Sequence, residues 1–165
     1  MEKTPYAIDF LWHQIELGFN EIRKSRYKKL LEAYLFDEEI RKKLEEKKDY
    51  KGRNYKGGML ETTASLVSLA LCTYDNYPEI DIDLILTAIL MNGICSIFNK
   101  KECYDRLKDY PEIIPFLFKK QRKKPSLEVS IFDQLVKFDN KIIAKILKKR
   151  KQAIEAGGKN GKSTV

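Results

Sequence analysis

The sequence predicts an all-α protein, a compact single-domain helical bundle. Two observations support this prediction. Apolar residues recur at helical spacing along most of the chain, and no segment shows the period-two alternation of a strand. At 165 residues the chain has the length of one domain and can bury well over half of its unfolded surface.

The first three helices follow from apolar spacing and from one capping residue. Apolar side chains three and four positions apart over residues 11–22 and 27–35 predict the first two helices. Asp37 is a suitable N-cap for a third helix, which is rich in charge and ends near Asp49.

Two longer helices are predicted in the middle of the chain. A glycine-rich loop over residues 51–58 leads to a helix from about 59 to 76. Pro78 ends it, because proline cannot continue the hydrogen-bond ladder. Asp81 then caps a helix over residues 82–98 that is apolar on every side, which predicts the central buried element.

Two short helices, over about residues 101–108 and 111–119, precede a long last helix that Ser126 opens. We expect one apolar stripe of this helix to face the core: Leu127, Ile131, Leu135, Phe138, Ile142 and Ile146. The helix is expected to end at Gly157-Gly158. The predicted organisation is one helical domain over residues 1–154, with N-terminal helices in 1–50 and a core in 57–154, followed by a flexible C-terminal tail over 155–165.

Histidine and cysteine are too few for the commonest metal sites. His13 is the single histidine, which excludes any site that gathers several imidazoles in one chain. Cys72, Cys95 and Cys103 show no CxxC spacing and lie in or beside apolar runs. We therefore interpret the cysteines as reduced, buried small side chains, and we expect neither a metal ion nor a cofactor.

No segment predicts secretion or a membrane span. The N-terminal residues lack a basic region followed by a small-residue cleavage site. The longest uncharged stretch, residues 84–98, is shorter than the roughly 20 residues that a spanning helix needs. We expect a soluble cytoplasmic protein without a membrane partner.

The net charge of +8 is concentrated in the C-terminal third, where residues 119–165 hold 14 basic and 4 acidic side chains. Such a cluster attracts polyanions, and binding to nucleic acid also gains from counterion release. The alternative is a solvated helix end whose lysines complement the helix dipole. The basic runs contain no aromatic residue that could stack on the bases of a single strand. The candidate polyanion contacts are Lys119, Lys120, Arg122, Lys123, Lys124, Lys148, Lys149, Arg150 and Lys151.

Several stretches together resemble one known family. Residues 55–63 read YKGGMLETT, residues 77–94 read YPEIDIDLILTAILMNGI, and PSLEV and LVKFDNK follow at 125–129 and 135–141. Over about residues 25–150 this pattern resembles the HD-domain phosphohydrolases, and most of all the HD domain of bacterial 3′-to-5′ exoribonucleases. The resemblance implies an HD-like helical fold with residues 57–154 as its core, and in the family that fold holds a divalent metal.

The metal ligands of that family are missing from this chain. The positions of its first histidine, its His-Asp pair and its last aspartate hold Thr62, Asn92, Gly93 and Val136. A metal that activates water on a phosphate needs fixed imidazole or carboxylate ligands, which this set does not supply. Paired histidines of the family fall roughly at Gly52-Arg53. Of the residues that remain, we interpret Glu61 as a helix-start charge and Asp139 as structural.

Three hypotheses for the function follow. The leading one is a non-catalytic, metal-free degenerate HD-like domain that binds a polyanion, RNA or DNA, through its basic C-terminal third. The second is a scaffold or regulatory subunit that uses an apolar groove for protein–protein contacts, as a homodimer or with another protein. The third is a divergent metal-dependent phosphohydrolase with a rebuilt site near Glu61, Asp133 and Asp139.

Overall fold

Helices make up the regular structure of the chain. The computed structural model describes the backbone of residues 2–163 and the side chains of residues 2–157. Within that range the elements are α1 (Ile8–Glu21), α2 (Ser25–Leu35), α3 (Glu38–Glu46), α4 (Gly58–Asn76), α5 (Ile82–Cys95), α6 (Lys100–Arg106), α7 (Ile114–Leu117), the 3-10 helix η1 (Lys119–Gln121) and α8 (Leu127–Ser163). The β-type backbone pairing in this range is an isolated parallel bridge between Lys3 and Lys56. The predicted all-α class is confirmed.

Helices α4 and α5 form the centre of the bundle; α5 was predicted to be the central buried element, whereas the central place of α4 was not predicted. Helix α4 packs against α5, α1 and α8, and α5 also contacts α2. The side chains of Leu86, Met91 and Ile94 on α5 are fully buried. Among the residues that the structure describes, no helix has both the length and the apolar character needed to cross a bilayer.

Three predicted capping residues begin their helices. The carboxylate of Asp37 accepts a hydrogen bond from the backbone N–H of Ile40 at 3.0 Å, and that of Asp81 accepts from Leu84 at 3.1 Å. The hydroxyl of Ser126 accepts from the N–H of Val129 at 3.2 Å. Helix starts were therefore predicted well, whereas α5 ends at Cys95, before the expected residue 98.

Gly57, just before α4, and Gly58, its first residue, allow a tight turn and a close approach that a larger residue would prevent. Gly57 has a φ of +82°, in the left-handed region that favours glycine. At Gly58 a Cβ atom would collide with the carbonyl oxygen of Arg53. The two glycines thus let the loop that carries Arg53 lie directly against the start of α4.

Helix α8 faces the core with a different stripe from the one predicted. Its buried side chains are Val129, Phe132, Asp139 and Ile143. The predicted stripe was wrong at its first residue and in its C-terminal half, because Leu127, Phe138, Ile142 and Ile146 are exposed. The reason is that the polar Asp139 points inward, and the large apolar residues next to it in sequence are turned outward.

The last helix is longer than expected. Its backbone is helical through Ser163, beyond the predicted end at Gly157-Gly158. All seven residues from 151 to 157 are exposed, so this part of α8 contributes no buried residue to the core. The side chains from residue 158 onward and the whole of residues 164–165 lie outside the described part, and the flexible tail over 155–165 stays a prediction.

The cysteines differ from the prediction. Cys95 at the end of α5 and Cys103 in α6 form a disulfide, with their Cα atoms 5.4 Å apart, and Cys72 is exposed. The interpretation of all three as reduced and buried was therefore wrong, since cysteines eight positions apart can meet when one helix ends and the next folds back. Because disulfides are rare in the reducing cytosol, this bond does not support the expected cytoplasmic location, which stays a prediction.

Candidate functional site

The side chain of Arg53, in the loop before α4, donates four hydrogen bonds to other side chains. It is only 4% exposed. Its guanidinium donates two hydrogen bonds to Asp139 of α8, from Nη1 at 2.7 Å and from Nη2 at 3.1 Å. Its Nε donates to the carboxylate of Glu61, and Nη1 also reaches the hydroxyl of Thr62 at 3.0 Å. The cation is thus enclosed by two carboxylates and a hydroxyl.

A second set of hydrogen bonds fixes these partners. Glu61 accepts from the hydroxyls of Tyr55 at 2.8 Å and Thr4 at 2.7 Å. Asp139 accepts from Ser65 at 2.7 Å, and Thr62 donates to Asp49 at 2.6 Å. We call the whole set the Arg53 cluster: Thr4, Asp49, Arg53, Tyr55, Glu61, Thr62, Ser65 and Asp139.

The electrostatics keep Arg53 charged and Tyr55 neutral. Burial alone disfavours the charged guanidinium, but the hydrogen bonds and charges of Asp139 and then Glu61 outweigh it, and they raise the pKa of Arg53 above its ordinary value. Burial, followed by the hydrogen bond to Glu61, raises the pKa of the Tyr55 phenol. Both carboxylates therefore face hydrogen-bond donors, the guanidinium of Arg53 and the neighbouring hydroxyls.

The four positions that correspond to the metal ligands of the resembled family do not come together in one site. Thr62 belongs to the Arg53 cluster, whereas Gly93 of α5 lies against Thr63, where a Cβ atom would approach the threonine hydroxyl to 2.6 Å. Val136 packs against the apolar core, and Asn92 is half-buried on α5. Sequence reasoning missed Arg53 as the centre of the site. The one signal in the sequence was that Arg53 falls roughly where the family that the chain resembles carries paired histidines.

The same cluster changes the interpretation of its carboxylates. Glu61 does lie in the first turn of α4, but it is buried and bonds three side chains, so its role extends beyond the helix dipole. Asp139 is buried and forms an ion pair with Arg53. Within the described residues, no three His, Cys, Asp or Glu side chains are grouped so as to hold a metal ion.

A cleft of about 370 Å³ opens beside the Arg53 cluster, between α1, α4 and α8. Arg53, Glu61 and Asp139 lie at its floor together with apolar and small residues of α1 and α4. Its rim holds side chains that are exposed to solvent: Tyr6, Phe10, Phe138, Ile142 and Ile146. The cleft is therefore predominantly apolar, with charged groups at its base.

The candidate basic residues lie in two groups rather than in one patch. Lys119 and Lys120 belong to η1, which precedes α8, and Lys123 and Lys124 follow them. Lys148, Lys149 and Lys151 lie more than 20 residues along α8, about 30 Å further at 1.5 Å per residue. A single short ligand does not reach both groups.

Two of the candidate cations are less accessible than the lysines. Arg122 forms a two-point ion pair with Asp133, at 2.7 and 2.9 Å, and also donates to the carbonyl of Pro115 at 2.7 Å. Arg150 is half-buried at the end of the cleft, and its Nη1 has no hydrogen-bond partner among the described residues. The exposed lysines therefore carry most of the outward charge.

Helix α8 adds lysines that the sequence analysis did not propose as contacts. Lys137, Lys141 and Lys145 are exposed along its length. The acidic side chains between residues 119 and 154 are occupied elsewhere, since Glu128 accepts from the N–H of Asp81, Asp133 pairs with Arg122 and Asp139 pairs with Arg53. In the described side chains no lysine of α8 forms an ion pair, so the charge of this face is uncompensated.

The fold and the site together define an all-α, single-domain protein with a buried arginine–carboxylate cluster, an adjoining apolar cleft and a basic last helix. Comparison with protein-family models, with curated proteins and with solved structures finds no match. What the protein does must therefore be inferred from these features.

Proposed function

We propose that this chain is a non-catalytic, metal-free domain, a degenerate relative of the HD phosphohydrolases, which binds nucleic acid through its basic C-terminal third. The observation that most supports binding is that α8 carries exposed lysines, from Lys137 to Lys151, that form no ion pair with a described acidic side chain. The Arg53 cluster supports the absence of catalysis.

The argument against catalysis rests on what surrounds the carboxylates. Glu61 and Asp139 each bond the guanidinium of Arg53 and at least one hydroxyl. A divalent metal would need those same oxygens, and it would be repelled by a buried cation that is already within hydrogen-bond distance of them. Arg53 fills the space that a metal would require.

The argument for nucleic acid rests on the geometry of the charges. Lysines along one exposed helix contact phosphates as point charges, and each phosphate that is neutralised releases counterions. Such contacts position a nucleic acid without reading its sequence. The proposal is therefore of binding with strong salt dependence and little base specificity.

A binding titration with labelled RNA and DNA, repeated over a range of salt concentrations, tests the proposal. The triple variant Lys148→Gln, Lys149→Gln, Lys151→Gln is expected to weaken binding at low salt by at least about tenfold. It should also reduce the slope of log K against log salt by about 2–3, in proportion to the lost phosphate contacts. Arg150 is left unchanged because it packs at the cleft.

A matched control removes the same charge from segments other than α8. Lys29 of α2, Lys42 of α3 and Lys48 are exposed, and their change to glutamine should alter the salt slope by less than about 1. Failure of the wild-type protein to bind RNA or DNA at low salt would refute the proposal. Equal effects of the two triple variants would show that only net charge matters.

The second candidate function is a scaffold or regulatory subunit. The observation in its favour is the exposed apolar rim of the cleft, where Phe10 and Phe138 are about half exposed. Light scattering combined with affinity capture tests it: a monomeric mass with no captured partner argues against this function, and a stable dimer or a specific partner supports it.

A further inference from the structure

The exposed face of α8 carries two parallel rows of side chains. Phe138, Ile142 and Ile146 follow one another at four-residue spacing and form the apolar row. Lys141, Lys145 and Lys149 each lie three residues after a member of that row and form the lysine row. Because residues three and four apart are neighbours on a helix surface, each lysine lies beside the apolar side chains.

Aromatic residues that are far apart in the sequence line the cleft that the apolar row borders. On the α1 side, the rings of Tyr6 and Phe10 stack with their centroids 5.9 Å apart. On the α8 side lies the ring of Phe138. The three side chains are 44%, 49% and 52% exposed, and together they form an exposed aromatic patch around one cleft.

These rows combine the two features of a site for single-stranded nucleic acid. Such sites pair a positively charged track for the backbone with aromatic faces on which bases stack. Here the lysine row supplies the charge, and Tyr6, Phe10 and Phe138 supply the rings. The basic runs themselves lack aromatic residues, and only the fold brings the rings beside them.

A duplex fits this surface less well. Its bases are stacked on one another and paired, so their faces are not available to the cleft, and only its phosphates can contact the lysine row. The cleft volume of about 370 Å³ lies within the range of sites for small flat ligands. Both points favour unpaired bases as the occupant of the cleft.

We propose that the cleft binds unpaired bases of a single-stranded nucleic acid while the lysine row holds the adjoining phosphates. This inference rests on the proposed nucleic-acid binding and narrows it to single strands. Phe138 is the principal stacking residue, because it belongs to the apolar row and directly adjoins Lys141.

Fluorescence anisotropy with three labelled probes of about 12 units tests the inference: oligouridine, oligothymidine and a mixed-sequence DNA duplex. The single strands are expected to bind more tightly than the duplex at the same salt. Phe138→Ala should weaken single-strand binding by about tenfold and leave both duplex binding and the salt slope unchanged. Phe138→Trp should retain single-strand affinity, since it keeps an aromatic face.

The control is Tyr77→Ala, which removes an aromatic ring that is 62% exposed at the far end of α4 and should leave binding unchanged. Equal binding of single strands and duplex, with no effect of Phe138→Ala, would overturn this inference and leave the proposed function standing. No binding of any probe would overturn both. A wild-type dimer that Phe138→Ala converts to a monomer would assign the cleft to a second copy of the chain and overturn the inference.

Discussion

Arg53 and Asp139 are 86 positions apart in the sequence, yet the guanidinium and the carboxylate form a two-point ion pair with hydrogen bonds of 2.7 and 3.1 Å. The pair ties the loop before α4 to the middle of α8. It also sets the rotation of α8, because Asp139 can face inward only if Phe138 faces the cleft. One buried contact thus organises both the Arg53 cluster and the exposed rows of α8.

Removing the buried cation should destabilise the protein strongly. Arg53→Met leaves Glu61 and Asp139 buried without their charged partner, and breaking a buried ion pair from one side costs about 3–5 kcal/mol. Urea unfolding followed by circular dichroism gives the change in the free energy of unfolding.

The partly exposed pair between Arg122 and Asp133 is the matched comparison. Arg122→Met should cost about 1 kcal/mol or less, because solvent screens this pair. If Arg53→Met were as mild as Arg122→Met, the Arg53 cluster would not have the structural role assigned to it.

Alanine at Gly58 should displace the loop that carries Arg53. The new Cβ would strike the backbone carbonyl of Arg53, which cannot move aside as a flexible side chain can. We expect a loss of about 1–3 kcal/mol in the free energy of unfolding.

Gly157→Ala is the control for that substitution. A Cβ at Gly157 meets nothing within 4 Å, so alanine there should stabilise α8 slightly or leave stability unchanged. Equal effects at Gly58 and Gly157 would contradict the steric explanation.

The disulfide should be detectable by its chemistry and by its effect on stability. Alkylation of the unfolded protein without reductant should modify Cys72 alone, and alkylation after reduction should modify all three cysteines. Cys103→Ser should lower the free energy of unfolding by about 2–3 kcal/mol, as expected for a short closed loop. Cys72→Ser is the control. Three modified cysteines in the unreduced protein would show that the bond does not form.

Alkaline pH should destabilise the fold through Tyr27 of α2. Burial, and then the charge of the nearby Glu112, raise the pKa of Tyr27 to about 12, above the value of about 10 for an unfolded tyrosine. The unfolded state therefore loses this proton first, so the stabilisation is complete below about pH 10 and declines as the pH rises towards 12.

Comparison with Tyr27→Phe isolates that contribution. Between about pH 9 and pH 12 the wild-type protein should lose about 2 kcal/mol more than the variant, measured by urea unfolding at each pH. Parallel pH profiles for the two proteins would mean that Tyr27 ionises equally easily in the folded and unfolded states.

The helices could be predicted from the sequence because their signals are local. Asp37, Asp81 and Ser126 act within three residues of themselves, and the apolar run of α5 indicates burial without knowledge of its neighbours. The rotation of α8 could not be predicted, because the sequence offers two apolar rows at helical spacing, one through Phe138 and Ile142 and one through Val129, Phe132 and Ile143. The contact with Arg53 instead turns Asp139 inward.

The candidate site was predictable only in part for the same reason. The charge of the last helix is visible in composition. The cleft, however, needs Tyr6 from the segment before α1 and Phe10 from α1 to lie near Phe138 of α8, and no local pattern connects them. The pairing of Cys95 with Cys103 likewise depends on the turn between α5 and α6. Long-range contacts decide both features.

The metal content of protein purified without chelators, measured by mass spectrometry after incubation with Mn²⁺ and desalting, tests most directly whether Arg53 takes the place of a metal. We expect far less than one equivalent of any divalent metal per chain, and no turnover of RNA, DNA or nucleotides with Mn²⁺ present. About one equivalent of tightly bound metal, together with phosphodiester hydrolysis that Asp139→Asn abolishes, would contradict the assignment and establish a phosphohydrolase.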